Sequence, residues 1–282
     1  MTDSPISSRQ NPHVKAVARL REHSERNALK LFLIEGLREL SRALAARKNM
    51  VAEIYFCPAL FKNATGAATL LTTAQRHGIT LRELSKGAFE KVSGREGADG
   101  LLGVARMWDV SLENLTLPEN PLVLVVEALE KPGNLGALFR TADSAGCAAL
   151  LCCDAVADVF NAGVVRASQG AVFALPCAVA SAEAVAAFLA KNKIAVFAAA
   201  PNATKRYWEA DWRGATALIL GSEKNGLSAF WLERSGVETL SIPHAGISDS
   251  LNVGVAGSVC LFEAVRQRTL ANEDAPETRC AT

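Results

Sequence analysis

Three loops of this chain carry the side chains best suited to chemistry, and the last of them is the most informative. It runs from Ser241 to Val253 and places His244, Ser250 and Asn252 between a short apolar run and a long apolar run. A glycine- and proline-bent loop that leads into a helix can wrap a small ligand with backbone groups and a few polar side chains. Two loops upstream have the same character, which predicts a shared ligand site.

The first of these upstream loops covers residues 130–140 and contains Gly133, Asn134 and Arg140. Asn134 is a favourable N-cap for a helix predicted over residues 135–145, and Gly133 permits a tight turn before it. Asn134, Leu138 and Thr141 share one face of this helix, from which Arg140 is offset. The Gly-x-x-Gly spacing is not the Gly-x-Gly-x-x-Gly of dinucleotide sites, and no Gly-Lys-Ser/Thr of a phosphate-binding loop follows.

The second loop, residues 220–228, sets Glu223 between Gly221 and Gly226 directly after an apolar run, with Ser228 as the predicted N-cap of the next helix. None of the three loops contains paired carboxylates or a Ser-His-Asp series. His244 is a candidate general base, although a lone loop histidine is more often structural or solvent-facing. An ordinary strand-to-helix turn also accounts for the second loop taken alone.

The elements that must position these loops alternate between strand and helix from residue 122 onwards. The β-branched run at residues 122–126 is typical of a strand covered on both faces, as in a parallel sheet. Further strands alternate with helices up to a long closing helix at residues 251–270, which predicts an α/β fold with right-handed crossovers. Ligands of such sheets bind beyond the carboxyl ends of the strands, where the three loops lie.

The first hundred residues read as a separate, compact α/β module. It opens on a helix predicted over residues 14–29. A polar stretch broken by Pro118 then predicts a linker. We therefore expect a first domain at residues 1–107, a linker at 108–120, a second domain at 121–271 and a disordered tail at 272–282.

Charge is distributed unevenly between these parts. Residues 1–105 hold 16 Lys or Arg against 10 Asp or Glu, whereas residues 106–282 hold 14 against 19. A basic first domain suits a polyanion such as RNA, but the mixed signs around Arg19 and Arg26 also suit an ordinary solvated helix face. Charge alone leaves both interpretations open.

Composition narrows the class of protein. The seven cysteines contain no Cys-x-x-Cys pair and lie mostly in apolar runs, which predicts buried, reduced thiols. The four histidines lack the spacing of zinc ligands, so we expect no metal. Without a membrane-length apolar run or a secretion signal, we expect a soluble, cytoplasmic protein.

Together the three loops resemble the three motifs of the SpoU/TrmH family, the RNA ribose 2'-O-methyltransferases of the SPOUT superfamily. The resemblance lies in Asn134 to Ala142, Gly221 to Ser228 and Ile242-Pro243 through Ser250-Leu251-Asn252-Val253, in the family's order. Residues 161–173 also resemble the family, and residues 32–40, with Glu35-Gly36, resemble its RNA substrate-binding module.

The resemblance implies a fold and a ligand that spacing did not show. The second domain would form a deep trefoil knot, an exception to the usual absence of knots. Its loops would bind S-adenosylmethionine through Gly221, Ile242 and Leu251, and the chain would work as a homodimer with the active site at the interface.

The resemblance also implies the side chains that act on RNA. Asn134, Arg140, Glu223, Ser250 and Asn252 would form the active site. In that site, Arg140 would supply fixed positive charge beside the ribose 2'-oxygen. We further assign RNA contacts to a basic set in the first domain, namely Arg9, Lys15, Arg19 and Arg38.

Two positions depart from the family's pattern: His244 stands where many relatives carry methionine, and Asn161 is followed by Ala162-Gly163, where a proline and a basic residue are common. Our hypothesis is an S-adenosylmethionine-dependent ribose 2'-O-methyltransferase of structured RNA, preferably 23S ribosomal RNA. A tRNA 2'-O-methyltransferase, a non-catalytic RNA-binding protein that retains the fold, and a Rossmann-type oxidoreductase remain the alternatives.

Overall fold

The computed structural model describes residues 4–94, 96–247 and 250–273. These residues form two compact units. Unit 1 comprises the described residues up to Asp109 together with Asp158–Ala174. Unit 2 comprises Val110–Ala157 together with the described residues from Leu175 onwards.

Helices and strands alternate along most of the chain. The described strands are β1 (Leu31–Glu35), β2 (Val51–Phe56), β3 (Thr80–Glu83), β4 (Leu101–Arg106), β5 (Leu122–Glu127), β6 (Ala149–Cys153), β7 (Cys177–Ala180), β8 (Ala195–Ala199), β9 (Thr216–Leu220) and β10 (Val237–Leu240). The described α-helices are α1 (Pro12–Arg19), α2 (His23–Leu29), α3 (Leu37–Arg47), α4 (Ala64–Arg76), α5 (Lys86–Ser93), α6 (Pro132–Ser144), α7 (Ala162–Ala167), α8 (Ala182–Lys191), α9 (Ala229–Leu232) and α10 (Val253–Glu273).

The sheet of unit 1 has the strand order β1-β4-β2-β3. β4 runs antiparallel to both of its neighbours, whereas β2 and β3 are parallel. The apolar sides of α1 and α5 pack over this sheet through side chains such as Val14, Val17, Phe89 and Val92.

The single helix predicted over residues 14–29 is wrong, because the structure has two helices, α1 and α2, with a break between them. Arg26 explains how the break is tolerated. Its guanidinium donates hydrogen bonds to the carbonyl oxygens of Leu20 (3.1 Å) and Arg21 (2.6 Å), which the interrupted helix leaves without partners. Arg26 is 3 % exposed, so the side chain that satisfies these carbonyl oxygens is itself buried.

Arginines attach residues 158–174 to the rest of unit 1. Arg26 donates to Asp158 from Nη2 (2.6 Å), and Arg47 donates from Nε to the carbonyl oxygen of Phe173 (2.9 Å). Within the segment, Arg166 forms an ion pair with buried Glu35 at 3.2 Å. The sequence prediction placed this segment in the second domain, whereas its contacts in the structure group it with unit 1. The domain limits themselves stay a prediction.

The sheet of unit 2 is parallel throughout, with the order β10-β8-β9-β5-β6-β7. This confirms the predicted α/β fold with a parallel sheet. β5, β6 and β9 are buried along their whole length. Continuous β-branched and leucine runs favour such central strands because both sheet faces are covered.

α10 begins at Val253, two residues later than predicted, and continues to Glu273. It packs against α6 and β9, and Gly257 is a point of close approach. A Cβ at Gly257 would lie 2.8 Å from side-chain carbons of Leu138 and of Leu220. The predicted tail begins within this helix, and residues 274–282 lie outside the described residues.

The six cysteines of the described ranges are all buried, as predicted; Cys280 lies outside these ranges. Burial raises the pKa of Cys147, Cys153 and Cys260 to about 12, since an apolar environment disfavours the thiolate. Among the described helices, none combines the length and the apolar character needed to cross a membrane.

Candidate active site

A cavity of about 500 Å³ lies at the carboxyl ends of β8, β9 and β10 in unit 2. All three of the loops singled out in the sequence contribute to its wall. The lining residues are Lys131 of the first loop, Leu220, Gly221, Ser222, Glu223, Lys224 and Gly226 of the second, and Ile242, His244, Ser250, Leu251, Asn252, Val253 and Ala256 of the third and of α10, with Ala199, Ala200, Pro201 and Leu240 from the ends of β8 and β10.

The second loop forms a tight hairpin. Ser222 and Gly226 exchange two backbone hydrogen bonds of 3.0 Å, and the Ser222 hydroxyl accepts a third from the Asn225 N–H at 3.1 Å. A Cβ at Gly221 would lie 2.2 Å from the carbonyl carbon of Gly226, and Gly226 itself has φ +65°. Both glycines are therefore required, the first by close backbone approach and the second by its left-handed conformation.

Buried Glu127 anchors the end of this hairpin. It is the last residue of β5, and its carboxylate accepts hydrogen bonds from the Ser228 N–H (2.8 Å) and the Ser228 hydroxyl (2.6 Å). Ser228 occupies the predicted N-cap position of α9, but its hydroxyl serves Glu127 instead of the helix. Sequence reasoning missed Glu127, although a carboxylate that ends a fully apolar strand was an available signal.

Asn134 connects the first loop to the second. Its side-chain amide donates a short hydrogen bond to Glu223 Oε1. The predicted N-cap role is wrong, because α6 begins at Pro132, with Lys131 in the capping position. Proline is favourable at the first helical position, since its missing N–H would have had no partner there. Asn134 therefore lies within the first turn, and its side chain fixes the Glu223 carboxylate.

Asn252 shapes the entry into α10. Its side-chain oxygen accepts a hydrogen bond from the Gly254 N–H (2.9 Å), and its carbonyl accepts one from the Ala256 N–H (2.9 Å). Ser250 and Leu251, directly before it, line the cavity and are exposed. Ser248 and Asp249 of the same loop lie outside the described residues.

Of the predicted catalytic residues, Glu223, Ser250 and Asn252 line the cavity, whereas Asn134 and Arg140 do not. Arg140 differs from Asn134 in making no bond to a lining residue within the described ranges. It is exposed on α6 and does not belong to the cavity lining of its own chain. Within the described ranges it makes no ion pair or hydrogen bond. Thr141, its neighbour, faces α10 and lies 3.2 Å from the Ser258 hydroxyl. The predicted offset of Arg140 from the Asn134 face is thus what the helix shows.

The three residues assigned to the cofactor, Gly221, Ile242 and Leu251, all line the cavity. His244 also lines it, with Nδ1 at 3.4 Å from the Ile242 carbonyl oxygen. Lys131 and Lys224 line it too and were not among the predicted site residues. In the part of the chain that the structure describes, no three His, Cys, Asp or Glu side chains come together as a metal site.

The residues assigned to RNA lie in unit 1, and three of the four have a carboxylate partner. Arg9 lies 3.6 Å from Glu90, Arg38 lies 2.8 Å from the adjacent Glu39, and Arg19 pairs with Glu25. Lys15 is exposed on α1. The carboxylates of these pairs offset the positive charge of the three arginines that the sequence analysis assigned to RNA.

Two family models match successive parts of the chain. The family model described as SpoU rRNA Methylase family matches residues 121–262. The model described as MRM3-like substrate binding domain matches residues 11–103. The first match contains every loop of the cavity, and the second contains most of unit 1.

Relatives resemble the chain over nearly its full length. The 23S rRNA (guanosine(2553)-2'-O)-methyltransferase RlmP of Bacillus subtilis (strain 168) is 32 % identical over 257 residues, 91 % of this chain and 97 % of that protein. A crystal structure of an RNA 2'-O ribose methyltransferase is 36 % identical, with a TM-score of 0.83 over 94 % of this chain and 100 % of that one. The AdoMet-bound rRNA methyltransferase from Sinorhizobium meliloti is 25 % identical, with a TM-score of 0.83 over 93 % and 97 %.

The parallel sheet, the loops at its carboxyl edge and the similarity to these relatives agree with one another. The chain therefore belongs to the SpoU rRNA methylase family.

Proposed function

We propose that this protein is an S-adenosylmethionine-dependent methyltransferase that modifies a ribose 2'-hydroxyl in 23S ribosomal RNA. The observation that carries the proposal is the cavity, because its wall contains residues of the second and third motif loops of a SpoU-family chain. Lys131 precedes the first motif and also lines the cavity, and Asn134 of that motif bonds the lining residue Glu223. RlmP is named for this reaction on 23S rRNA, and a similar structure was crystallised with AdoMet.

The cavity fits S-adenosylmethionine in size and in chemistry. Its volume of about 500 Å³ lies in the usual range for small-molecule sites. Leu220, Ile242 and Leu251 supply apolar walls that suit an adenine ring, and the Glu223 carboxylate and Ser222 supply polar groups. The glycine at position 221 lets the hairpin backbone itself form part of the wall.

When bound, S-adenosylmethionine supplies an electrophilic methyl group on a sulfonium. The protein's own residues would prepare the other reactant. Ser250 and Asn252, at the start of α10, would hold the ribose, and the hydrogen bond from Asn134 keeps the Glu223 carboxylate in place at the cavity wall. Alignment of two bound reactants contributes much of the rate gain in such transfers.

Arg140 would stabilise negative charge that develops on the 2'-oxygen as it loses its proton. The guanidinium stays charged at any physiological pH, and it has no carboxylate partner among the described residues that would offset its charge. Its place outside the cavity lining of its own chain suggests that it serves the cavity of a second copy.

We therefore also propose a homodimer. α10 buries one side against α6 and β9, while Val255 and Phe262, seven residues apart on its other side, are 50 % and 48 % exposed. A second copy that covers this apolar side would remove it from water and bring Arg140 towards a partner cavity.

Several finer features belong to the same proposal. The knotted chain path, the cytoplasmic location and the RNA contacts of Arg9, Lys15, Arg19 and Arg38 are expectations from the family. The excess of positive charge over residues 1–105 and the match to a substrate-binding model support RNA binding by this part of the chain.

The test combines calorimetry with RNA mapping. We expect the purified protein to bind S-adenosylmethionine and to transfer its methyl group to an unmodified 23S rRNA transcript at one ribose. Absence of cofactor binding would favour the non-catalytic RNA-binding protein, NAD binding would favour an oxidoreductase, and a mark found only on tRNA would change the substrate.

A further inference from the structure

Unit 1 carries a second basic surface that the sequence did not single out. It lies where β1, β2 and β3 begin and β4 ends. Basic residues from separate segments therefore lie at one edge of the sheet. Lys48 follows the last turn of α3, Arg76 ends α4 and is followed by His77, and Arg106 ends β4.

Two adjoining concavities mark this surface. One, of about 540 Å³, is lined by Lys48, Arg76, His77 and Arg106, and the other, of about 520 Å³, by Lys48, Arg106 and Trp108. They share Lys48 and Arg106, so the two form one continuous basic depression. No carboxylate belongs to either lining among the residues that the structure describes.

These cations differ from Arg9, Arg19 and Arg38, which have carboxylate partners, in their ion pairing. Lys48, Arg76 and Arg106 are exposed and make no ion pair in the described part of the chain. Cations at the ends of α3 and α4 have a simple structural explanation, because they complement the negative end of the helix dipole. Arg106 ends a strand, where no helix dipole is present, so that explanation does not extend to the whole cluster.

Trp108, at one end of this surface, is in contact with neighbouring side chains. The Arg47 guanidinium lies over the Trp108 ring at 4.7 Å from its centroid, and Phe160 packs edge-on at 4.6 Å. Arg47 and Phe160 therefore hold the Trp108 ring in place, and the property that distinguishes this surface is its positive charge.

We propose that Lys48, Arg76 and Arg106 bind consecutive phosphates of the RNA substrate's backbone and position the RNA without selecting the nucleotide. This inference rests on the proposed function for its ligand. Contacts to phosphate fix the register of a nucleic acid on a protein and carry no sequence information, whereas sequence is read by hydrogen bonds at base edges.

The test compares R76Q/R106Q with the wild type for binding to an in vitro transcribed RNA hairpin, over a series of salt concentrations. We expect affinity to fall roughly tenfold or more at low salt, and the slope of log K against log salt to decrease by about 0.7–0.9 for each lost phosphate contact. A hairpin of different sequence should lose affinity to the same extent.

Two controls make the result specific. K191Q/K193Q removes the same charge from exposed residues at the end of α8 in unit 2 and should leave the slope near that of the wild type. R76K/R106K keeps the charge and should retain most of the slope. In the methyltransfer assay, the loss in R76Q/R106Q should fall on KM for RNA more than on kcat.

The outcomes also separate this inference from the proposed function. A wild type that binds S-adenosylmethionine and methylates RNA, together with an R76Q/R106Q variant whose affinity and salt slope are unchanged, would overturn the phosphate site alone. An equal loss in K191Q/K193Q would overturn it as well. Failure of the wild type to bind the cofactor would instead contradict the proposed reaction.

Discussion

Arg140 is the side chain on which the proposed chemistry depends most. We expect Arg140→Ala to reduce methyl transfer at least about hundredfold, which is the effect of removing one group that stabilises a developing oxyanion. Binding of S-adenosylmethionine should stay within about twofold of the wild type, since Arg140 is assigned to the ribose oxygen and the cofactor contacts to Gly221, Ile242 and Leu251. Calorimetry and a methyl-transfer assay measure the two effects.

A matched control is Arg234→Ala, which removes another exposed arginine of unit 2, one that lies over the Phe230 ring. It should keep full activity. Full activity in Arg140→Ala would instead remove the arginine from the mechanism.

Glu127 is a second single residue on which the site depends, and its effect passes through Ser228. It holds both polar groups of Ser228 and so fixes the end of the cavity hairpin. Glu127→Gln keeps the shape of the side chain but replaces one of the two acceptor oxygens by an NH2 donor. The lost hydrogen bond to Ser228 should lower the free energy of unfolding by about 1–3 kcal/mol. We expect weaker S-adenosylmethionine binding and a lower Tm, measured by calorimetry and thermal unfolding.

Glu233→Gln, at an exposed position after α9, provides the comparison for this substitution. It should change neither quantity. If Glu127→Gln matched it in both, the buried carboxylate would have no positioning role.

At the scale of the element, the hairpin of residues 221–226 should tolerate no side chain at its first position. A Cβ at Gly221 would meet the Gly226 backbone at 2.2 Å, a distance that backbone atoms cannot accommodate without opening the hairpin. We expect Gly221→Ala to abolish cofactor binding while circular dichroism still reports a folded chain.

Gly133→Ala is the corresponding control, because a Cβ there meets nothing within 4 Å. In the first turn of α6 it should leave binding intact and leave Tm unchanged or higher, since alanine favours helix. Wild-type cofactor affinity in Gly221→Ala would show that the hairpin is not part of the cofactor site.

The elements also show where local pattern suffices and where it does not. A local pattern is sufficient for α8, because Ser181 caps its first turn and an amphipathic run of residues 182–191 follows. A similar pattern merged α1 and α2 into one predicted helix. The break between them depends on Arg26, whose guanidinium takes the freed carbonyl oxygens, and a hydrophobic pattern contains no such information.

At the scale of the whole molecule, the proposed homodimer makes a prediction that a monomeric site does not. If Arg140 serves the partner's cavity, mixing Arg140→Ala with Asn252→Ala should restore activity, because each mixed dimer contains one site with both wild-type residues. Random exchange between the two inactive variants would restore about a quarter of the wild-type sites.

The measurement is the methyl-transfer rate after the variants are unfolded and refolded together. Each variant refolded alone provides the background. A mixture that is no more active than this background would place Arg140 and Asn252 in the same chain's site, or would show that no dimer forms.

Much of the fold and the position of the candidate site could be predicted from the sequence alone. Buried β-branched runs determine a parallel sheet, because only strands covered on both faces can be apolar throughout, and residues such as Gly221, Glu223 and Asn252 identify the loops at its carboxyl edge. Only the tertiary structure decided how individual polar side chains are used. Asn134 bonds Glu223 across 89 residues, Arg26 bonds Asp158 across 132, and Arg106 and Arg76 stay unpaired among the described residues. Partners so distant in sequence leave no periodic trace in it, because hydrophobic burial sets the strands and helices, whereas ion pairs follow from where the folded chain brings each charge.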